Sequence, residues 1–254
     1  MINSSVIQYI AIAWMGVAVI LFPFLLKITP PYGRHSKNNW GPMIDNRLGW
    51  VLMEFPSLLI FVLLVLLGPH QPTSPVWVLF GLWAIHYINR SVIFPLRTKT
   101  KGKKMPVVIM LSAVFFNLIN AGLNGYWLGF TSPGYPANWL TSPQFIIGGM
   151  IFITGFVINQ SADKKLISLR KEGNAGYFIP LGGLFNYISC PNFFGEIIEW
   201  SGFAIMAWSL PALSFAVWTA ANLIPRALDH HKWYRGYFKE GYPESRKAVI
   251  PFLL

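Results

Sequence analysis

Seven apolar runs recur along this chain: Val6–Leu26, Leu48–Leu67, Val76–Leu96, Met105–Leu128, Pro143–Gln160, Phe193–Trp208 and Pro211–Ile224. Crossing a bilayer takes about 20 apolar residues of helix. Lipid offers no partner to an open backbone, so a chain written this way is confined to a helical bundle. Only 11% of the 254 residues are charged, against about 25% in an average soluble domain. The chain therefore reads as an all-α polytopic membrane protein. Met1–Ser5 carries no basic residue, so the first run reads as a retained helix, not a cleaved signal. A single cysteine, Cys190, excludes an intrachain disulfide and a multi-cysteine metal site.

The last two runs are short, and one helix over Glu196–Ile224 is the competing division. Charge decides between them. All 20 lysines and arginines fall in or beside alternate connections. Lys27, Arg34, Lys37 and Arg47 occupy the first. Arg97, Lys99, Lys101, Lys103 and Lys104 occupy the third, with Arg90 just inside the preceding run. Lys164, Lys165, Arg170 and Lys171 occupy the fifth, and six more follow from Arg226 to Lys247 in the tail. Gly68–Pro75, Gly129–Ser142 and Ser209–Leu210 have none. The positive-inside rule then gives seven transmembrane helices, with the N-terminus outside and the C-terminus in the cytoplasm. A single final helix would put the basic tail outside, so Ser209–Pro211 reads as a turn, with proline suited to the start of the next helix. Topology accounts for most of the net charge of +11. With no soluble basic domain, nucleic acid is a poor partner, whereas an anionic ligand entering from the cytoplasm fits. The acids also lie in or near the cytoplasmic side, which confines chemistry to the inner half.

Within the helices a few polar positions carry information. Glu196 and Glu199 are three apart on one helix face. A carboxylate at a lipid-facing helix centre costs about 2.5–3.5 kcal/mol. The pair therefore points either to a protein-lined cavity or to a helix start, where the dipole favours acids. The charge map puts both near the cytoplasmic boundary. Glu196 then reads as a ligand contact, and Glu199 as more structural, paired with a basic residue of the tail. Glu54 lies seven residues past Arg47, about 10 Å into the second helix. Tyr87 lies about 15 Å deep on the antiparallel third helix. At comparable depth the two could share a proton and donate to a substrate oxygen; a structural bond between helices is the plainer alternative.

Asn159 and Asp163 share a face at the inner end of the fifth helix, Arg170 follows, and Asn192 opens the sixth. Arg226, His230 and Tyr234 recur every four residues along a helical continuation of the seventh. Arginines and helix N-termini suit phosphates, while Asp, Asn and Glu suit ribose hydroxyls and an amide. Asn117, Asn120 and Asn124 could line a cavity or join helices. The histidines lack metal-ligand spacing, and neither G-x-G-x-x-G after a strand nor a P-loop occurs. A bound nucleotide would sit outside any Rossmann domain.

Eight blocks in order resemble the steroid 5α-reductase (3-oxo-5α-steroid 4-dehydrogenase) family: Pro31–His35, Met53–Pro56, His86–Arg90, Ile158–Asp163, Ile179–Phe185, Asn192–Trp200, Trp208–Ala212 and Ser245–Phe252. The resemblance implies one membrane-embedded domain over 1–254, with a substrate half over about 1–130 and a cofactor half over about 131–254. It implies an NADPH-dependent enzyme that delivers hydride to C5 of a 3-oxo-Δ4-steroid. The family's carbonyl-holding pair matches Glu54 and Tyr87. Its cofactor residues match Tyr32, Arg34, Arg90, Asn159, Asp163, Arg170, Tyr177, Asn192, Glu196, Arg226, His230 and Tyr234. The lysine-rich third connection departs from the family's arginine-containing loop, leaving Lys103 or Lys104 as its phosphate contact. Asp229 replaces a histidine of the usual H-H-H run. No metal is implied, and membrane lipid is the surrounding partner. The membrane would be a bacterial inner membrane or the endoplasmic reticulum, with the cofactor site facing the cytoplasm.

Three other readings compete, the first within the same class. One is reduction of a different activated double bond, in an enoyl-CoA or a polyprenal, against which the Glu54–Tyr87 pair weighs. Another is a membrane methyltransferase using S-adenosylmethionine, against which the arginine set weighs. The third is a transporter, which would need a polar route through the uncharged outer half.

Overall fold

The computed structural model describes residues 2–36, 39–69, 71–100, 102–136, 138–170 and 176–254. Lys37, Lys101 and Lys171 of the basic connections lie outside them. The apolar runs close their backbone hydrogen bonds internally as seven long helices: α1 Ser4–Leu25, α2 Asn46–Leu66, α3 Ser74–Arg97, α4 Val107–Thr131, α5 Pro143–Ser168, α6 Pro191–Ala207 and α7 Leu210–Phe238. The first five are each long and apolar enough to cross a membrane. Large apolar side chains such as Val19, Leu63, Phe115 and Ile153 are exposed on them, the last at 59%, an outer surface suited to lipid more than to water.

Local sequence explains the irregular points. Pro95 has no N–H to return to the carbonyl of Ser91, and just before it α3 widens into a π turn over Asn89–Ile93. The break between α6 and α7 is real. Trp208 ends α6 in the left-handed region (φ 44°), and the Ser209 hydroxyl caps α7 by accepting from the Ala212 N–H at 3.4 Å. Beyond it α7 runs for 29 residues, so Arg226, His230 and Tyr234 lie on the same helix as the apolar run before them.

α5 and α6 cross at a glycine seam. A Cβ at Gly155 would lie 2.3 Å from the Glu199 nitrogen, and one at Gly195 would lie 2.5 Å from the Asn159 nitrogen. The missing side chains let the backbones touch, as small residues do between membrane helices. α2 packs on α4, and α1 leans on α7. Trp83 is fully buried, stacked on Phe61 at 4.3 Å and edge-on to Trp200 at 5.1 Å. Deep in this core Glu199 Oε1 meets His86 Nδ1 at 2.7 Å, with both residues buried. The expectation that Glu199 pairs with the tail is thereby corrected. Glu199 faces α3, and a carboxylate at that depth needs a polar partner within the core.

A feature absent from the helical reading is a short antiparallel ribbon, β1 Met43–Asp45 with β2 Lys104–Pro106. It ties the first and third basic connections together. Among the described residues no larger sheet occurs, so there is no Rossmann-like domain.

Candidate active site

A cavity of about 1030 Å³ opens at the end of the bundle where the basic connections gather. It reaches the upper end of the size range of ligand pockets, about 300–1,000 Å³. Fourteen of the fifteen residues singled out from the sequence line it: Glu54, Tyr87, Tyr32, Arg34, Arg90, Lys103, Asp163, Arg170, Tyr177, Asn192, Glu196, Arg226, His230 and Tyr234. Asn159 is the exception. It is buried behind the wall, donating from Nδ2 to the Asn192 carbonyl at 3.0 Å and to Glu196 Oε2 at 3.3 Å. Its place is that of a brace holding α6 residues toward the cavity.

The walls divide by chemistry. Toward the bundle interior Trp14, Phe116, Phe215 and Trp218 make an aromatic ceiling. Trp14 and Trp218 pack with ring centroids 4.6 Å apart and planes tilted by 33°, and Trp218 Nε1 donates to the Trp14 carbonyl at 2.8 Å. Below it lie Glu54 and Tyr87. Tyr87 is buried against Trp83, His86 and Trp200. Asn117 donates to Glu54 Oε2 at 3.4 Å and to the Met53 carbonyl at 2.6 Å, fixing the carboxyl from α4. The asparagine row thus splits by function. Asn117 faces the cavity, while Asn120 accepts from Trp14 Nε1 at 3.3 Å and Asn124 donates to the Pro211 carbonyl at 3.2 Å, joining helices. Period alone could not separate them.

Next comes an ionic layer. Arg90, carried by the π turn, approaches Glu196 Oε2 at 3.4 Å and Asp163 Oδ2 at 3.7 Å. Asn192 donates to Asp163 Oδ1 at 3.1 Å, leaving the buried Asp163 Oδ2 without a hydrogen bond. Trp50, which the sequence reading passed over, lies 5.1 Å from the Arg90 guanidinium and donates to the Arg90 carbonyl at 3.1 Å.

At the mouth the charge is almost all positive. Arg34 packs over the rings of Tyr234 at 4.3 Å and Trp233 at 4.8 Å, donates to the Tyr234 hydroxyl at 3.2 Å, and keeps Nη1 unpaired. Gly33, at φ 64°, makes the turn that presents it. Lys99, Lys103, Lys104 and Arg170 also line this end. Burial first, then the charges of Arg170 and Arg34, hold the Lys103 ammonium below the ordinary lysine range. Arg226 has a structural task beside its place in the cavity wall. Two of its nitrogens donate to the carbonyls of Pro30 and Tyr32, at 2.8 and 2.7 Å, so it pins the Arg34 loop while its charge faces the cavity. His230 meets His35 at 3.0 Å with the rings stacked. Among the described residues no group of three or more His, Cys, Asp or Glu is arranged to hold a metal.

Arg34, Lys99, Lys103, Lys104, Arg170 and Arg226 line one mouth, with buried donors and a carboxylate oxygen that lack hydrogen bonds below, an arrangement whose chemistry suits a polyanion with polar attachments. Comparison with known proteins gives the family. The family model described as 3-oxo-5-alpha-steroid 4-dehydrogenase matches residues 103–254. The chain is 43% identical over 236 residues to steroid 5-alpha-reductase DET2 of Arabidopsis thaliana, covering 90% of each. It is 38% identical over 251 residues to 3-oxo-5-alpha-steroid 4-dehydrogenase 1 of Bos taurus, covering 96% of each. To the enzyme of the same name from Homo sapiens it is 38% identical, over 87% of this chain and 85% of that one. With matches of this length and identity, the chain belongs to the 3-oxo-5-alpha-steroid 4-dehydrogenase family, oxidoreductases that act on CH–CH groups.

Proposed function

We propose that this protein reduces the C4=C5 double bond of 3-oxo-Δ4-steroids to 5α-reduced 3-oxo-steroids, with NADPH as reductant. The observation that carries this reading is one cavity lined by Glu54 and Tyr87, by an aromatic ceiling and by a mouth rich in lysine and arginine. The cavity residues fit the cofactor. Arg34, Lys103, Arg170 and Arg226 would neutralise its phosphates, and Asp163, Asn192 and Glu196 would hold hydroxyls and the amide. The same cation set favours a polyphosphate over S-adenosylmethionine.

NADPH, when bound, supplies the hydride. The protein's part is electrostatic. As C5 becomes saturated, charge moves onto the C3 oxygen, and donation from the Tyr87 hydroxyl and from Glu54 in its carboxylic-acid form stabilises the enolate before a proton from solvent is added at C4. Asn117 and the aromatic packing of Tyr87 keep those donors oriented without reorganisation. The aromatic ceiling gives the same space an apolar wall. In this reading the single domain divides near residue 130 into a mainly substrate-holding and a mainly cofactor-holding half. The same reading takes seven spans, with the N-terminus outside and the cation mouth facing the cytoplasm, where NADPH is available.

Purified protein in detergent should oxidise NADPH on addition of testosterone, with one steroid reduced per NADPH consumed. Absence of enone-dependent oxidation refutes the proposal.

A further inference from the structure

One polar side chain in the cavity is engaged neither by the carbonyl-holding pair nor by the ionic layer. Asn222 on α7 lines the cavity and is exposed, and its amide makes no hydrogen bond among the described residues. Two hydroxyls on the same walls are occupied: Thr219 donates to the Phe215 carbonyl at 2.9 Å and Ser112 to the Ile109 carbonyl at 2.8 Å. A free amide on an otherwise apolar stretch of a membrane-protein helix is costly unless a ligand or water meets it.

Its depth can be read from the hydrogen bonds between helices. Trp14 contacts both Asn120, through its indole, and Trp218, through its carbonyl, so these three residues mark one level. Asn117 lies three residues from Asn120 toward the basic end, about 4.5 Å along α4, and holds Glu54 at that level. Asn222 lies four residues from Trp218 in the same direction, about 6 Å along α7. Glu54 and Asn222 are therefore at nearly equal depth, one on α2 and the other on α7. α2 and α7 are not packed on one another, and both line the cavity of about 1030 Å³ that lies between them, so the space admits a long, flat molecule lying across it. The Trp14–Trp218 pair closes the space on one side, and the ionic layer closes it on the other.

We propose that Asn222 is a specificity-determining residue: its amide hydrogen-bonds an oxygen substituent at the end of the substrate remote from the 3-carbonyl. For a four-ring skeleton with its C3 oxygen at Glu54 and Tyr87, that is an oxygen on or next to the last ring. An amide can donate to a ketone or accept from a hydroxyl, so either suits it. The inference rests on the 3-oxo-steroid reading above.

The test compares two substrates that differ only at that end: testosterone, with a 17-hydroxyl, and androst-4-en-3-one, without it. The kcat/KM ratio of the first to the second is measured for the wild type and for Asn222→Leu. Any folding loss cancels in the ratio. The substitution is expected to lower it about three- to tenfold, the worth of one neutral hydrogen bond. An unchanged ratio overturns the role of Asn222 while leaving the steroid reading intact. An equal loss on both substrates with a raised KM for NADPH also overturns it, by assigning the amide to the cofactor. If the wild type reduces neither substrate, the steroid reading and this inference fall together.

Discussion

The glycine seam between α5 and α6 offers a test that reaches the site from a distance. A methyl group at Gly155 would lie 2.3 Å from the Glu199 nitrogen and 2.5 Å from the Gly195 carbonyl oxygen. Both are backbone atoms that no rotamer change can move, and ordinary contact begins near 3.4 Å. In Gly155→Ala the helices must separate by about 1 Å, a strain typical of overpacking at about 1–3 kcal/mol. One turn further along, Asn159 holds the Asn192 carbonyl and Glu196 Oε2 at 3.0 and 3.3 Å. The same displacement stretches both bonds beyond the usual range, for about 0.5–1.5 kcal/mol each. We expect lower thermal stability and about a tenfold weaker NADPH affinity, the equivalent of one misplaced hydrogen-bonding group. Thermal unfolding and equilibrium NADPH titration in detergent would measure both. Gly149→Ala on the same helix is the control, because its nearest neighbour would be Met206 Sδ at 3.6 Å. If Gly155→Ala behaves like Gly149→Ala in both assays, the close seam does not position Asn192 and Glu196, and the reasoning fails.

Tyr87→Phe keeps the ring that packs on Trp83 and Trp200 and should lower kcat about 100- to 1,000-fold with NADPH affinity unchanged; wild-type turnover would remove the hydroxyl from the chemistry. Glu199→Ala leaves His86 without its buried partner and should destabilise the fold by about 3–5 kcal/mol, whereas Glu196→Ala should weaken NADPH binding with a smaller effect on stability. A reversal of that pattern in unfolding and binding assays would contradict the division between the two carboxylates. Lys103 must be charged to hold a phosphate, and its pKa in the free protein lies below the lysine value of 10.5. A bound phosphate raises that pKa, so affinity is complete below the free-state value and declines as pH rises through it. Titrations at rising pH should show the decline in the wild type and its loss in Lys103→Arg; identical profiles would remove Lys103 from the phosphate site.

The bundle was legible because membrane helices announce themselves twice, through apolar length and through charge in alternate connections. The turn at Ser209–Pro211 was found from charge alone, and Trp208 and Ser209 adopt the backbone it requires. The site was legible where polar side chains recur at helical spacing near the basic end. What remained hidden depended on which helices are neighbours. Glu199 was assigned to the tail because nothing in the spacing reveals that α6 faces His86 on α3. Asn159 was expected in the cavity, yet the glycine seam brings α6 so close that its amide is consumed by Asn192 and Glu196. Spacing places Arg226 on the cavity face of its helix, but it does not reveal that two of its nitrogens also hold a loop far from it in sequence. The ribbon between Met43–Asp45 and Lys104–Pro106 joins two connections that sequence order keeps apart.

The destination of the hydride tests the central claim most directly. Purified protein would be given testosterone and NADPH carrying deuterium at both C4 positions of the nicotinamide ring, and the steroid product analysed by NMR and mass spectrometry. The account predicts 5α-dihydrotestosterone with a single deuterium at C5. Deuterium at any other carbon, a 5β product, or NADPH consumption that leaves the steroid unlabelled would contradict it.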